Sequence, residues 1–374
     1  MTDVLAAGAV CRPGGAMGAD GALEPGWVAF SEGVIVDVGR GAPPRGATDL
    51  GARVLAPGYV DLQCNGVGAD DFADADPPGW RRAADTLAAH GVTSYCATLV
   101  SASRERYDAP LAQAAEVRAA PGPASSTCLG VHLEGPFLGG APGAHDPDHL
   151  APVDPGWLTD VLARHPGLVR IVTLAPEADP SSAAIRLLVA AGVTVALGHS
   201  TATYDTCRAA ADAGATAATH LFNAMGAVHQ REPGLAGAAL DDERLTPTLI
   251  SDLVHVHPAL IRLAFARRPD VALVSDSVAV GGSVVARDGA AYLVDGTLAG
   301  ATLLLDDAVA AAARIGIAPA RAIEAATRIP ADLVGADDRG RLEPGARADL
   351  AVLDPETFAV RAVWAAGRPV HGQR

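Results

Sequence analysis

Through the middle of the chain, short apolar runs with strand character alternate with alanine-rich stretches of helical character. Helical stretches of this kind cover residues 80–90, 104–118, 181–191 and 203–213. Strand-like runs that alternate with helical stretches are typical of α/β folds with a parallel sheet. The strand-like runs begin near Gly58, Val92, Leu129, Val169, Val193, Ala215, Thr248 and Val271.

Polar residues that could take part in catalysis or metal binding follow these runs, at the point where each run ends. A doubly wound sheet is the competing architecture, but a barrel better explains polar residues at so many run ends. Barrel enzymes build their active sites at the carboxyl ends of the strands. We therefore predict an α/β fold with a (β/α)8 TIM-like barrel. The run-end residues are Asp61, Gln63, Glu134, Glu177, His199, His220, Asp252 and Asp276.

Both ends of the chain carry shorter β-prone pieces broken by Gly and Pro. They lie at residues 26–30 and 33–39, and again at residues 349–354 and 358–364. Turn residues at this frequency indicate β-structure. We expect the two ends to pair into one small domain. The predicted division is a β-sandwich part at 1–56, a barrel at 57–340 and a second β-sandwich part at 341–374.

Composition narrows the choice of partners. The chain has 374 residues and a net charge of −15, with a pI near 5.0, which disfavours nucleic-acid binding. No run approaches the roughly 18 apolar residues of a membrane span. The amino terminus lacks the basic and apolar regions of a signal peptide. Five scattered cysteines without CxxC spacing fit a reducing compartment, so we expect a cytoplasmic protein without nucleic-acid or membrane partners.

Glu134, His199 and His220 each close a strand-like run and form the candidate metal site. A lone His at such a place is more often structural than a ligand. Two at equivalent places, with a carboxylate at a third, reverse that preference. A buried, unpaired Glu134 would also be costly without a cation. Two His, one Glu and an open position are the ligand set of a catalytic zinc-type site.

Asp276 is the candidate general base. It ends an almost continuous apolar run, so it could instead cap a following helix. Facing an attacking water, it could take one proton and return it to the leaving group. Gln63 and Asn65 share a face at the end of the first run, and amides are poor ligands for transition metals. The site is therefore expected to hold one metal ion.

Four further residues are candidates for substrate contacts or for purely structural roles. His145 lies in a Gly/Pro-rich loop and could bind a substrate hydroxyl. His255 and His257 follow the seventh run, and one of them could polarise a substrate carbonyl. Arg231 is either a solvated surface residue or part of an anion site.

Several segments together are more specific than any of these residues alone. They resemble the N-acetylglucosamine-6-phosphate deacetylases, a family of the amidohydrolase superfamily, over nearly the whole chain. The segments are PGYVD at 57–61, HLEGPF at 132–137, GAHDP at 143–147, GHS at 198–200, THLFNAM at 219–225, REPGLAG at 231–237 and DGTLAG at 295–300.

The resemblance implies a barrel with a β-sandwich from both termini. It also implies a divalent metal on Glu134, His199 and His220. Zinc is the expected ion, with Fe²⁺, Co²⁺ or Mn²⁺ as alternatives. Some relatives carry His-x-His after the first strand and bind two metals. Gln63-x-Asn65 stands there in this chain, which favours one.

The resemblance also assigns roles around the metal. It makes Asp276 the base and then the acid, with His255 polarising the acetamide carbonyl. It places His145 on sugar hydroxyls and the phosphate at Asn223 and Ala224. Arg231 would reach the phosphate bound by a neighbouring subunit, which implies a homodimer.

The expected reaction is hydrolysis of N-acetylglucosamine 6-phosphate to glucosamine 6-phosphate and acetate. The galactosamine epimer, or another N-acyl amino sugar, is the closest alternative. A cyclic-amide hydrolase would normally use His-x-His and a modified lysine, and the sequence contains no lysine. A non-catalytic sugar-phosphate sensor would not need the base Asp276.

Overall fold

An eight-stranded parallel sheet forms the centre of the computed structural model, which describes residues 2–12, 23–120, 122 and 125–372. The strands follow chain order around the sheet. Hydrogen bonding between Asp276 N–H and the Gln63 carbonyl (2.9 Å) joins the last strand to the first. The predicted barrel is therefore confirmed. Its strands are β6 Tyr59–Cys64, β9 Val92–Val100, β10 Thr127–Glu134, β11 Val169–Leu174, β12 Thr194–Leu197, β13 Ala217–Ala218, β14 Thr246–Leu249 and β15 Ala272–Leu273.

Helices lie between these strands, and several begin at a side-chain cap. Asp76 accepts from Gly79 N–H at the start of the first helix, and Thr203 accepts from Thr206 N–H at the start of the fifth. The predicted helix at 104–118 begins as a 3₁₀ turn, Arg104–Tyr107. The α-helices are α1 Pro77–Ala89, α2 Asp108–Ala119, α3 Pro155–Arg164, α4 Ala183–Ala190, α5 Tyr204–Asp212, α6 Gly234–Asp241, α7 Pro258–Arg267, α8 Leu305–Arg314, α9 Pro319–Ala325 and α10 Arg328–Leu333.

The two ends of the chain meet in a separate sheet of eight strands, as the sequence predicts. Antiparallel pairing of Leu350 with Pro57 joins the carboxyl-terminal strands to the amino-terminal ones. Phe30 and Trp364 lie in the apolar core of this sheet. The boundaries at 56/57 and 340/341 stay a prediction. The strands are β1 Asp3–Cys11, β2 Leu23–Ser31, β3 Val34–Arg40, β4 Thr48–Asp49, β5 Val54–Pro57, β19 Leu350–Leu353, β20 Val360–Ala365 and β21 Arg368–His371.

A three-stranded antiparallel sheet, here called the flap sheet, follows the last barrel strand. It consists of β16 Val284–Arg287, β17 Ala290–Leu293 and β18 Leu298–Ala301. Ala301 N–H donates to the Asp276 carbonyl at 2.8 Å, so the flap sheet is attached at the barrel rim. A short hairpin, β7 Gly66–Val67 with β8 Asp70–Asp71, lies after the first barrel strand.

The barrel interior is filled by apolar side chains below a polar upper layer. Leu62, Ile171 and Val274 belong to one buried cluster within the ring of strands. A filled interior leaves the carboxyl-terminal rim as the open face, which is where barrel enzymes bind their substrates. Among the described residues, no helix has both the length and the apolar character needed to cross a membrane.

Candidate active site

Glu134, His199 and His220 converge on one point at the carboxyl end of the barrel. The Nε2 atoms of the two imidazoles lie 3.0 Å apart. Oε1 of Glu134 lies 3.0 Å from His199 Nε2 and 3.1 Å from His220 Nε2. All three side chains are buried. The three run-end residues that the sequence singled out as ligands are thus brought together.

The backbone explains how two histidines reach this point from neighbouring strands. Each follows its strand, and each has a positive φ, 50° at His199 and 32° at His220. Non-glycine residues rarely adopt this left-handed conformation, which costs about 1–3 kcal/mol when the surrounding structure enforces it. The turn directs both rings inward toward Glu134, the last residue of β10.

The donor set fits a divalent transition metal ion. His199 Nδ1 donates to the Pro142 carbonyl at 3.1 Å, so Nε2 is the ring atom that faces the cluster. Burial disfavours the charged carboxylate and would raise the pKa of Glu134. The hydrogen bonds and charges of both histidines nevertheless hold that pKa well below its usual value. Burial alone would lower the pKa of His220, but the hydrogen bond and charge of Glu134 outweigh burial and raise it. The cluster therefore stabilises a positive charge at its centre.

Asp276 stands beside this cluster, held by two amides. Gln63 Nε2 donates to Asp276 Oδ1 at 3.0 Å and to Glu134 Oε1 at 2.9 Å. Asn65 Nδ2 donates to the same Asp276 oxygen at 2.9 Å. Burial, and then the charge of Glu134, raise the pKa of the Asp276 carboxyl. The flap sheet follows Asp276 instead of a helix, which removes the helix-cap alternative.

His145 faces the same space from its loop, and its ring lies edge-on to His199 at 4.5 Å between centroids. Ser101 N–H donates to His145 Nδ1 at 3.3 Å, and the Ser101 hydroxyl lies 2.9 Å from the same atom. Burial, with the neighbouring His199 charge, lowers the pKa of His145 to about 3. The ring is therefore neutral, with its proton on Nε2. Glu134, His145 and His199 also offer ligand atoms within 4.8 Å of one another, but Nδ1 of His145 is already engaged.

His255 also lines the cavity, and its partner is a residue to which sequence reasoning gave no role. Asp252 Oδ2 accepts from His255 Nδ1 at 2.6 Å, while Asp252 Oδ1 accepts from the His255 backbone N–H at 2.9 Å. Burial would raise the pKa of Asp252, but the hydrogen bond and charge of His255 hold it below its usual value. The only available signal was the strand-end position of Asp252. His257 instead caps α7, where its ring accepts from Ala259 N–H.

His132 lies beneath the site and connects four barrel strands. Its Nδ1 donates to the Leu62 carbonyl at 3.0 Å, and burial lowers its pKa to about 4. The neutral ring therefore accepts at Nε2 from the Thr173 hydroxyl, 2.7 Å away. Thr173 in turn accepts from the Thr219 hydroxyl at 2.7 Å. This chain of hydrogen bonds ends one residue before His220 and fixes the floor of the site.

The candidate substrate residues separate into two groups. Asn223 and Ala224 line the cavity, and positive φ values at Phe222 (76°) and Ala224 (47°) flank Asn223. Asn223 Nδ2 folds back onto the His220 carbonyl at 3.2 Å. Arg231 is exposed and is not among the residues that line the cavity. The structure therefore brings the predicted site residues to the barrel mouth, except Arg231 and the alternative candidate His257, neither of which lines the cavity.

A cavity of about 430 Å³ opens above these residues, which suits a small molecule. Gln63 does not line the cavity itself, but it donates to Asp276 and Glu134, which do. Among the described residues that line it, none is an arginine, and the sequence has no lysine. The predicted site residues on its surface are Asn65, Glu134, His145, His199, His220, Asn223, Ala224, His255 and Asp276.

Asp252→Asn is expected to lower kcat about tenfold to a hundredfold with little change in KM. Residues that orient a functional His typically contribute effects of this size. The asparagine can present an N–H instead of an oxygen to Nδ1 of His255, which disturbs the ring's protonation and orientation. Steady-state kinetics over a pH series would measure both kcat and its pH dependence. An unchanged profile would contradict the assigned contact between Asp252 and His255.

Comparison with known proteins agrees with this geometry. Residues 55–370 match the amidohydrolase family, and the chain belongs to that family. Enzymes of this family are generally metal-dependent, and the His/Glu/His cluster is where this chain could hold an ion. The chain is accordingly an amide-hydrolysing enzyme.

Its relatives are more specific. The chain is 38% identical to the N-acetylglucosamine-6-phosphate deacetylase of Bos taurus, covering 93% of this chain and 89% of the relative. It is 35% identical to the N-acetylgalactosamine-6-phosphate deacetylase of Escherichia coli O157:H7, over 87% and 90%. A mutant N-acetyl-D-glucosamine-6-phosphate deacetylase from Mycobacterium smegmatis, solved with N-acetyl-D-glucosamine-6-phosphate, superposes with a TM-score of 0.90 at 38% identity, over 99% of both chains.

Proposed function

We propose that this enzyme hydrolyses the acetamide of N-acetylglucosamine 6-phosphate to glucosamine 6-phosphate and acetate. The observation that carries the proposal is Asp276, a half-buried carboxylate with a raised pKa beside the Glu134–His199–His220 cluster. The relatives from Bos taurus and Mycobacterium smegmatis, similar over almost their whole length, support the choice of substrate.

We further propose one divalent ion per chain, zinc in the first instance, held by Glu134, His199 and His220. When bound, such an ion polarises the amide carbonyl and lowers the pKa of a water molecule toward about 7. Gln63 and Asn65 occupy the place where further imidazole ligands would be needed for a second ion. Both amides already donate to carboxylates, which supports a single ion.

Asp276 performs the proton transfers in this proposal. Gln63 and Asn65 both donate to Oδ1, so we assign Oδ2 to the proton. The carboxylate takes a proton from the attacking water and gives it to the departing amine nitrogen. A carboxylate with a raised pKa is a better proton acceptor than an ordinary aspartate, and the fixed amides hold Asp276 in one orientation.

His255 stabilises the charge that develops on the carbonyl oxygen. Asp252 accepts from Nδ1 of His255, which orients that ring with Nε2 toward the cavity. A protonated Nε2 donates to the developing oxyanion. Charge-assisted donors of this kind are among the largest contributions to catalysis of acyl transfer.

The sugar and the phosphate bind on the opposite side of the cavity. His145, neutral with its proton on Nε2, donates to a sugar hydroxyl. The left-handed residues around Asn223 give the backbone pattern of an anion-binding concavity, which suits a phosphate. Because no described lining residue is an arginine, a cation from elsewhere would complete the phosphate site.

We propose that the cation is Arg231 of a second copy and that the enzyme is a homodimer. Arg231 is exposed on its own chain, which leaves its side chain available to a neighbour. We also place the enzyme in the cytoplasm, since its five cysteines are all buried and free.

The test is acetate release from purified N-acetylglucosamine 6-phosphate and from its galacto epimer. We expect the gluco compound to be hydrolysed with the higher kcat/KM. Elemental analysis of enzyme purified without added metal should give about one ion per chain. A preference for the galacto epimer would overturn the choice of sugar. Bound metal without turnover of either compound would favour a sensor and overturn the enzyme assignment.

A further inference from the structure

The cavity above the Glu134–His199–His220 cluster has two unlike walls. One wall is polar and is formed by Ser101, His145, Asp146 and Asn223. The other wall is apolar and continuous, and it carries no side-chain hydrogen-bonding group. We call it the apolar wall, and its residues are Val278, Ala279, Val284, Leu293, Leu298 and Ala299.

Part of the apolar wall is one face of the flap sheet. Val284 and Leu293 are direct cross-strand partners, so their side chains share a face. Val285 pairs with Tyr292 and points to the other face, where its side chain is 55% exposed. Leu298 lines the cavity from the next strand, where it pairs with Tyr292 beside a bulge and therefore does not share the face of Leu293. The face of Val284 and Leu293 is distinct from the solvent face of the same two strands.

This wall is joined to the backbone of Asp276, the residue that carries the reacting carboxylate. Ala301 N–H donates to the Asp276 carbonyl at 2.8 Å, and Val278 N–H donates to the Ala301 carbonyl at 3.0 Å. A Cβ at Gly300 would lie 2.7 Å from the Asp276 carbonyl oxygen, so only glycine permits this approach. In the proposed reaction the scissile carbonyl carbon of the substrate lies beside the Asp276 carboxylate. The acyl group attached to that carbon therefore lies next to the apolar wall.

The wall does not suit the polar half of the proposed substrate. Sugar hydroxyls and a phosphate give up hydrogen bonds to water, at a cost in free energy, when they face side chains that cannot hydrogen-bond. Those groups therefore lie against His145 and Asn223. The acyl group points the other way from the scissile amide. An acetyl group offers one methyl to a surface of six apolar side chains, which is large for that ligand.

We propose that the apolar wall is a subsite for acyl chains longer than acetyl, so that N-propionyl and N-butyryl amino sugar phosphates are also substrates. The inference rests on the proposed function and extends its substrate class. The chemistry is unchanged. Water adds its hydroxyl to the acyl carbon, the C–N bond breaks, and the amine nitrogen receives the proton, giving a carboxylic acid and the free amine.

Burial of one additional methylene corresponds to about a fourfold gain in binding. We therefore expect kcat/KM for the propionyl and butyryl compounds to lie within about fivefold of the acetyl value or above it. A cavity closed behind the methyl group would instead exclude them sterically. A loss of more than about a hundredfold for both compounds, with the acetyl compound still hydrolysed, would overturn the inference.

The experiment compares the three N-acyl glucosamine 6-phosphates by release of free amine. It uses wild-type enzyme, Leu293→Ser and Val284→Ser, with Val285→Ser on the solvent face as the matched control. Both wall variants should lower the butyryl-to-acetyl ratio of kcat/KM about fourfold or more, whereas the control should leave it unchanged.

Three outcomes distinguish the possible failures. If no compound is hydrolysed, the proposed function fails, and the inference fails with it. If all three compounds are substrates but neither wall variant changes the ratio, the apolar wall is not the acyl subsite. If the control changes the ratio as much as the wall variants do, the effect belongs to the flap sheet as a whole and the assignment to one face is wrong.

Discussion

Asp276→Asn is expected to lower kcat by about 10²- to 10⁴-fold while the bound metal is retained. The amide cannot accept the proton of the attacking water or deliver it to the amine. Its shape still fills the place between Gln63 and Asn65, so the cluster should stay assembled. Steady-state kinetics together with metal analysis would measure both effects.

The matched control for this variant is Asp288→Asn, in an exposed turn of the flap sheet. Asp288 also has a positive φ (54°), which asparagine tolerates, and it does not line the cavity. We expect its kcat to equal that of the wild type. An Asp276→Asn enzyme with nearly full activity would remove Asp276 from the mechanism.

The same residue predicts the acid side of the pH profile. The base must be unprotonated to accept a proton, so activity is lost as pH falls through the pKa of Asp276. Burial and the charge of Glu134 raise that pKa, so the loss should occur at higher pH than for an ordinary aspartate. The residual activity of Asp276→Asn should lack this dependence.

The second large effect is loss of the metal. Glu134→Gln and His199→Ala should each reduce the metal content from about one ion per chain to a small fraction, with a comparable loss of activity. Both variants remove one of three protein ligands, and Glu134→Gln also removes the charge that offsets the cation. Chelation of the wild type should abolish turnover, and added metal should restore it.

His257→Asn is the control for the metal variants. His257 caps α7 outside the cluster, and asparagine is also a good cap, so metal content and activity should be retained. Thermal unfolding gives an independent readout. An ion that binds only the folded state raises its stability, so the wild type should lose Tm on chelation while Glu134→Gln should not. Full metal occupancy in Glu134→Gln would contradict the assigned ligand set.

The sequence predicted the residues whose position depends on strand order alone. Glu134, His199 and His220 each end a parallel strand, and a closed barrel brings such ends to one rim. Gln63 and Asn65 were expected to share a face, and both do contact Asp276. Period-two alternation along an extended strand is sufficient for that inference.

What the sequence did not predict depends on how loops fold. The pairing of Asp252 with His255 needs a tight turn in which Leu253 has a positive φ (67°). The engagement of His145 by Ser101 joins residues 44 positions apart. The three strands of the flap sheet were not among the predicted elements. Such contacts follow from turn geometry and long-range packing, which leave no periodic signal along the chain.

The left-handed strand ends have a consequence for directed evolution. His199, His220 and Asp276 all occupy a backbone conformation that glycine adopts without strain. Selection for heat resistance alone, in medium without the metal ion, would therefore favour glycine at these positions, and each such gain in stability would remove a metal ligand or the base. A library screened for survival must be screened for turnover in the same round, or its most heat-resistant members will be inert.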